Sequence, residues 1–142
     1  MTRIAHCCCG SLRAEATGEP AFVAACHCME CQRRTGSPFG VSTYFPKGQV
    51  RTEGPSKVYV CGSDAGRKIE IHFCPGCGSA VFWYAECFPD LIGIAFGTFA
   101  DPSMPGRRYP CGRRRGIPGW PSITNSIGLR SSRKSAIATW SS

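Results

Sequence analysis

The stretch that decides how this chain folds is Cys26-His27-Cys28-Met29-Glu30-Cys31-Gln32-Arg33-Arg34-Thr35-Gly36. It places three thiols within six residues, two arginines within three residues of the last thiol, and a glycine at its end. Thiolate is the form of cysteine that binds soft metal ions, and zinc takes four ligands in a tetrahedron. Three local ligands leave a fourth position for a residue from elsewhere in the chain, for water or for a substrate. Gln32-Arg33-Arg34-Thr35 reads as a helical turn, stopped at Gly36 and kept from continuing by Pro38.

Two further cysteine groups flank this centre. Cys74-Pro75-Gly76-Cys77-Gly78 has the composition of a zinc knuckle, in which the spacing lets both sulfurs reach one ion and the glycines shape the turn. Near the N-terminus stands Cys7-Cys8-Cys9-Gly10. On an extended strand Cys7 and Cys9 share a face and Cys8 points away, while Gly10 leaves room for a tight turn. The expected pairing is Cys7 and Cys9 with Cys74 and Cys77, a closed four-thiolate structural site tying the N-terminus to the middle of the chain. Cys8, Cys61, Cys87 and Cys111 remain, read as small buried or surface thiols, with Cys61 or Cys87 as the alternative fourth ligand of the second site. His27 and His72 each border a ligand cysteine and read as supporting or surface residues rather than ligands.

The composition agrees with a reduced, metal-binding protein. Eleven cysteines in 142 residues would suggest disulfides in a secreted domain, but the count is odd and the thiols sit in tight clusters. The opening Met1-Thr2-Arg3-Ile4-Ala5-His6 carries no apolar signal segment, so a cytoplasmic setting is expected. The longest mostly apolar run, Leu91 to Ala100, is ten residues, too short to span a bilayer, so no membrane partner is expected. The formal net charge of +8 is unevenly placed. Residues 1–101 carry nine basic and nine acidic side chains, whereas 102–142 carry eight basic ones and no acidic one. Gly106-Arg107-Arg108, Gly112-Arg113-Arg114-Arg115-Gly116 and Ser131-Ser132-Arg133-Lys134-Ser135 make 105–142 a basic, Gly- and Ser-rich segment. A solvated flexible tail is expected there, with weak, sequence-independent nucleic-acid contact as the alternative reading.

Between these landmarks the chain is turn-rich, with 17 glycines and 11 prolines, and reads as mostly β with very little helix. Strands are expected at Ala21 to Ala25, Val41 to Phe45, Lys57 to Cys61, Lys68 to Phe73, Ala80 to Tyr84 and Leu91 to Phe99. Lys68-Ile69-Glu70-Ile71-His72-Phe73 alternates as a half-buried strand does. The glycines of the last run suggest bulges or close packing. One domain is expected over 1–104, with the tail at 105–142.

Taken together, the opening cysteine triplet with Gly10, the Cys26–Ser37 centre, the Cys74–Ser79 knuckle and the run Gly93 to Pro102 resemble the glutathione-dependent formaldehyde-activating enzyme family, which includes centromere protein V. The resemblance covers about residues 3–104. It implies a tent-like β fold similar to that of methionine-R-sulfoxide reductase B, with two zinc ions per chain. It implies that Cys7, Cys9, Cys74 and Cys77 hold the structural zinc, and that Cys26, Cys28 and Cys31 hold a second zinc used in catalysis. The activity implied is carbon–sulfur lyase chemistry, interconverting S-hydroxymethylglutathione with glutathione and formaldehyde. Cys8 occupies the variable place of the opening motif, and of the tail only Trp120 is similar to the family's late tryptophan.

Charge supports a thiol substrate. Three thiolates around a divalent zinc leave a net negative centre, a weaker Lewis acid than one held by neutral imidazoles. Such a centre activates water poorly, against a hydrolase, and suits a soft fourth ligand. Arg33 and Arg34 can offset that charge or fork onto the carboxylates of glutathione. The competing reading is a non-catalytic zinc module that binds protein or nucleic acid, which a closed second site would favour.

Overall fold

The computed structural model describes residues 1–62 and 66–104, and the backbone of 108–111. It is mainly β, built from two sheets and, among the described residues, one short α-helix. The smaller sheet joins β1 (Thr2–His6), β2 (Arg13–Thr17) and β5 (Val50–Glu53) in the order β1-β2-β5, all antiparallel. The larger sheet contains β3 (Phe22–Cys26), β4 (Gly40–Pro46), β6 (Lys57–Gly62), β7 (Lys68–Phe73), β8 (Ala80–Ala85), β9 (Leu91–Ala95) and β10 (Arg108–Cys111). Its order is β10-β3-β4-β9-β8-β7-β6, antiparallel throughout except at β10, which runs parallel to β3 with Cys111 opposite Cys26. No described helix is long and apolar enough to cross a membrane.

The strand expectations between Ala21 and Tyr84 hold with shifts of about one residue at the ends. Four strands were not expected from the sequence: β1, β2, β5 and, within the expected tail, β10. In β2, Arg13-Ala14-Glu15-Ala16-Thr17 alternates cleanly, but its inward residues are alanines, which favour helices and carry little strand signal. In β1 the alternation is inverted, for Arg3 is buried and Ile4 is 54% exposed. Arg3 donates to Gly18 O at 2.7 Å and pairs with Glu19 at 2.9 Å, so its charge is met at the open end of the hairpin.

Two expectations are corrected. Cys7 to Cys9 form a turn rather than the end of a strand, because the chain must reverse between β1 and β2. The last run does not stay extended to Phe99: β9 ends at Ala95, and Phe96–Phe99 makes a 3-10 turn that brings Phe99 into the core beside Phe45, centroids 6.2 Å apart. β10 lies past the expected boundary at 104. The rest of the expected basic tail, 105–107 and 112–142, lies outside the described residues.

Register separates the two faces of the larger sheet. Phe45 opposes Ile92, and Ile94 opposes Phe82; these side chains face inward and pack with Leu12 and with Ala14 and Ala16 of the smaller sheet. The small inward alanines let the sheets approach closely. The opposite face carries a cross-strand row, Phe22 opposite Tyr44, Tyr44 opposite Gly93, and Gly93 opposite Trp83. The helix α1 (Met29–Thr35) packs against β4, whose Tyr44 lies in this row.

Phe45 is fully buried at the centre of the inner face. Phe45→Ala should destabilise the protein by about 3–5 kcal/mol, the cost of an emptied aromatic site, measured by chemical denaturation with zinc present. A loss below about 1 kcal/mol would place the core elsewhere.

Candidate metal centres

Two groups of thiols meet in the folded chain. Cys7, Cys9, Cys74 and Cys77 form one and Cys26, Cys28 and Cys31 the other, each with its sulfurs within 4.8 Å of one another. A tetrahedral zinc with sulfurs at about 2.3 Å requires sulfur–sulfur edges of about 3.8 Å. In the first group Cys7 and Cys9 are 3.5 Å apart, and Cys9 and Cys74 3.6 Å, close to that requirement. The expected ligand sets are therefore assembled as two clusters, each able to hold a metal.

The four-thiol cluster is built from two matching turns. Each ends in Cys-Gly-Ser: Cys9-Gly10-Ser11 and Cys77-Gly78-Ser79. Both glycines take the left-handed conformation, φ 77° at Gly10 and 75° at Gly78, which a side chain would strain. Gly10 N–H donates to Cys7 O at 2.9 Å and Gly78 N–H to Cys74 O at 2.8 Å, closing the turns. The serine hydroxyls reach sulfur: Ser11 Oγ lies 3.1 Å from Cys9 and 3.2 Å from Cys74, and Ser79 Oγ lies 3.2 Å from Cys77. Leu12 N–H donates to Cys7 Sγ at 3.3 Å. Cys8 is exposed and outside the cluster, but its N–H donates to Ser79 Oγ at 3.2 Å and so joins the two turns. Ser11 and Ser79 were missed in reading the sequence, although the repeated Cys-Gly-Ser was there to find them.

The thiols of this cluster do not behave alike. Hydrogen bonds from the hydroxyl and N–H of Ser79 hold Cys77 down at about 5. Burial pushes Cys7 up, but the Leu12 N–H and the neighbouring Cys9, Ser11 and Cys74 bring it down to about 7. Ser11 favours the thiolate of Cys9, yet hydrogen bonds to Cys7 and Cys74, with burial, leave it raised. Packed this closely, the sulfurs share protons, and a divalent cation would take the place of those protons.

The second cluster straddles the junction of β3 and α1. Cys26 ends β3, Cys28 caps the helix and accepts the Cys31 N–H at 3.4 Å, and Gly36 ends it at φ 64° with its N–H on Gln32 O at 2.8 Å. The expected helical turn and its glycine stop are thus present. The neighbouring Cys26 thiol is the largest influence bringing Cys31 down to about 6, and the positive charge of the nearby Arg34 adds to it. Cys26 is pushed far up, first by Cys31 and then by burial. Cys61 is raised by burial and then by Glu30, Cys31 and Cys28, which places it near this cluster but not in it. Neither Cys61 nor Cys87 joins Cys26, Cys28 and Cys31, so among the described residues this cluster has three ligands.

The two expected substrate arginines separate. Arg34 lies over the Trp83 ring, 4.5 Å from its centroid, beside Cys31. Arg33 points outward and pairs with Glu30 at 2.9 Å. His27 packs against Phe39, centroids 5.7 Å apart, and His72 stacks on Phe82 at 4.5 Å with Ser56 on its Nδ1 at 3.2 Å; neither is in a cluster.

Known proteins resemble this chain in sequence and in fold. The sequence model of the family described as glutathione-dependent formaldehyde-activating enzyme matches residues 2–110. A Fusarium vanettenii protein named for that family is 37% identical over 94 residues, covering 64% of this chain; the match spans only 50% of the relative's own length. A solved structure of a Rhodobacter sphaeroides protein shares the fold with a TM-score of 0.54 at 20% identity, covering 67% of this chain and 85% of that one.

Protein purified without added metal should contain about two zinc ions per chain by elemental analysis, one for each cluster. Cys28→Ser should lose one of them with little change in the thermal melt. Cys77→Ser should lower stability by several kcal/mol, because it opens a closed site joining distant segments. Equal melts for the two variants would overturn this division.

Proposed function

The chain belongs to the glutathione-dependent formaldehyde-activating enzyme family, and on that premise we propose that it is a zinc-dependent carbon–sulfur lyase acting on a glutathione-like thiol and formaldehyde or another small aldehyde. One observation carries this reading: the second cluster gathers three thiols beside a guanidinium without a fourth ligand among the described residues. In this proposal the four-thiol cluster is structural and the three-thiol cluster does the work. A zinc ion held by Cys26, Cys28 and Cys31 would supply a soft position that favours a substrate thiol in its thiolate form.

The remaining work falls to the chain itself. Arg33 is exposed, and a carboxylate arriving from solvent can compete with Glu30 for it. Arg34 stands next to Cys31 and opposes the negative charge gathered there. The reaction joins the thiolate sulfur to the aldehyde carbon, and the resulting alkoxide takes up the proton that the thiol gave. The reverse breaks that carbon–sulfur bond. Thiol addition to formaldehyde is easy in water, so the protein needs to contribute mainly proximity and a larger thiolate fraction. The same proposal puts the protein in the reducing cytoplasm, where seven ligand thiols stay free of disulfides.

S-methylglutathione keeps every charge of glutathione but offers no thiolate, so it separates sulfur binding from charge steering. Glutathione should bind the zinc-loaded protein clearly more tightly than its S-methyl analogue by calorimetry, and more tightly as pH rises toward the thiol pKa of about 8.5. Arg33→Ala should weaken both ligands alike, by roughly threefold, the scale of an exposed ion pair. Equal binding of the two ligands would overturn the proposal in favour of a non-catalytic zinc module.

A further inference from the structure

We propose that Arg34 is the built-in counter-cation of the three-thiol centre, held beside Cys31 by Trp83 in a slot cut by two glycines, and that it selects an anionic fourth ligand over a neutral one. The inference rests on reading that cluster as a metal centre with an exchangeable position. It assigns Trp83 as a positioning residue acting through Arg34.

The slot follows from the cross-strand row on the outer face of the larger sheet. Gly93 stands between Tyr44 and Trp83, and a β-carbon there would collide with Trp83 Nε1 and the ring atoms beside it. The indole therefore lies across the Gly93 backbone, and its N–H donates to Tyr44 OH at 3.4 Å. Trp83 is only 4% exposed. Arg34 reaches back from α1 onto its face, and aromatic faces attract guanidinium. On the other side stands Gly40 of β4, where a β-carbon would come within 2.9 Å of Arg34 Nη2 and 3.3 Å of Cys31 Cβ. The guanidinium thus lies against the indole and the bare backbone of Gly40, with the Cys31 side chain on the same glycine. Arg33, one position earlier, is turned about 100° around the helix and meets solvent.

The fixed charge has a chemical consequence. Three thiolates and a divalent ion sum to −1, and a fourth thiolate would make −2. One adjacent guanidinium changes these to 0 and −1, which lowers the cost of admitting an anion and leaves a neutral ligand almost unaffected. Arginine keeps its charge at any pH a protein survives, so the selection does not fade as the solution is made alkaline.

The test uses full-length protein loaded with cobalt(II), whose visible spectrum changes when a ligand enters its coordination shell. The probes are 2-mercaptoethanol, a thiol without carboxylates for an arginine to steer, and imidazole, a neutral ligand. The readout is the ratio of the two dissociation constants measured on the same folded protein, so a variant of lower stability still reports. Arg34→Gln should weaken 2-mercaptoethanol roughly tenfold, about 1.4 kcal/mol, and leave imidazole within about twofold. Arg34→Lys should restore part of the ratio. Trp83→Leu should mimic Arg34→Gln, and Trp83→Phe, which keeps an aromatic face, should fall between Trp83→Leu and wild type. Lys57→Gln, the same charge loss on the exposed strand β6, should leave the ratio unchanged. The proposal is overturned if Arg34→Gln shifts both ligands equally or neither, if Lys57→Gln has the same effect, or if neither ligand reaches the metal in wild type. An intact ratio without lyase activity would sink the proposed reaction and uphold this inference; activity without the ratio would do the opposite.

Discussion

The fold depends on the junction of two hairpin turns at Cys7, Cys9, Cys74 and Cys77. Cys7 and Cys74 are wholly buried and belong to the core cluster, while Cys9 and Cys77 stand at the surface. The junction fastens the β1–β2 turn of the smaller sheet to the β7–β8 turn of the larger one, across more than sixty residues of chain. A domain this small, with alanines on the inner face of one sheet, buries limited apolar surface there, and a metal held by these four thiols would constrain the chain where the core is thin. The close sulfurs explain the divided titration, because like charges cannot gather without either protons or a cation between them.

The larger sheet uses its two faces differently. Phe45, Ile92, Ile94 and Phe82 fill the inner face and fix the position of the smaller sheet. The outer face carries Phe22 stacked on Tyr44 at 4.6 Å, then the gap at Gly93 and the indole of Trp83. That gap turns a sheet face into a seat for an arginine from α1. The second cluster thus gains its cation from a helix that supplies two of its three thiols, Cys28 as the cap and Cys31 in the first turn.

Local patterns in the sequence were legible where residue type and spacing agreed. The strand at Lys68 to Phe73, the stop at Gly36 and the knuckle between β7 and β8 each follow from short-range rules, and the chain obeys them. The strands β1, β2 and β5 were hidden because their inward positions are alanine, arginine or only half-buried valine. Their strand character comes from partners: β2 is held between β1 and β5, whatever its intrinsic preference.

The two thiol groups could be read from the sequence as local pairs and a triplet, because thiols at two- and three-residue intervals lie close together whatever the surrounding fold, and the fold then brings Cys7 and Cys9 to Cys74 and Cys77. The cysteine motifs, with the run Gly93 to Pro102, also supplied the family, while the strand-like runs supplied the mainly β class. Tertiary structure decided what spacing cannot express. It turned Cys7 to Cys9 into a reversal instead of a strand, brought Ser11 and Ser79 onto the sulfurs, and kept Cys61 outside the second cluster. It also separated Arg33 from Arg34, which adjacency in sequence makes look equivalent. The physical reason is that side-chain direction on a helix changes by about 100° per residue, so only the sheet packed against α1 determines which guanidinium meets the thiols.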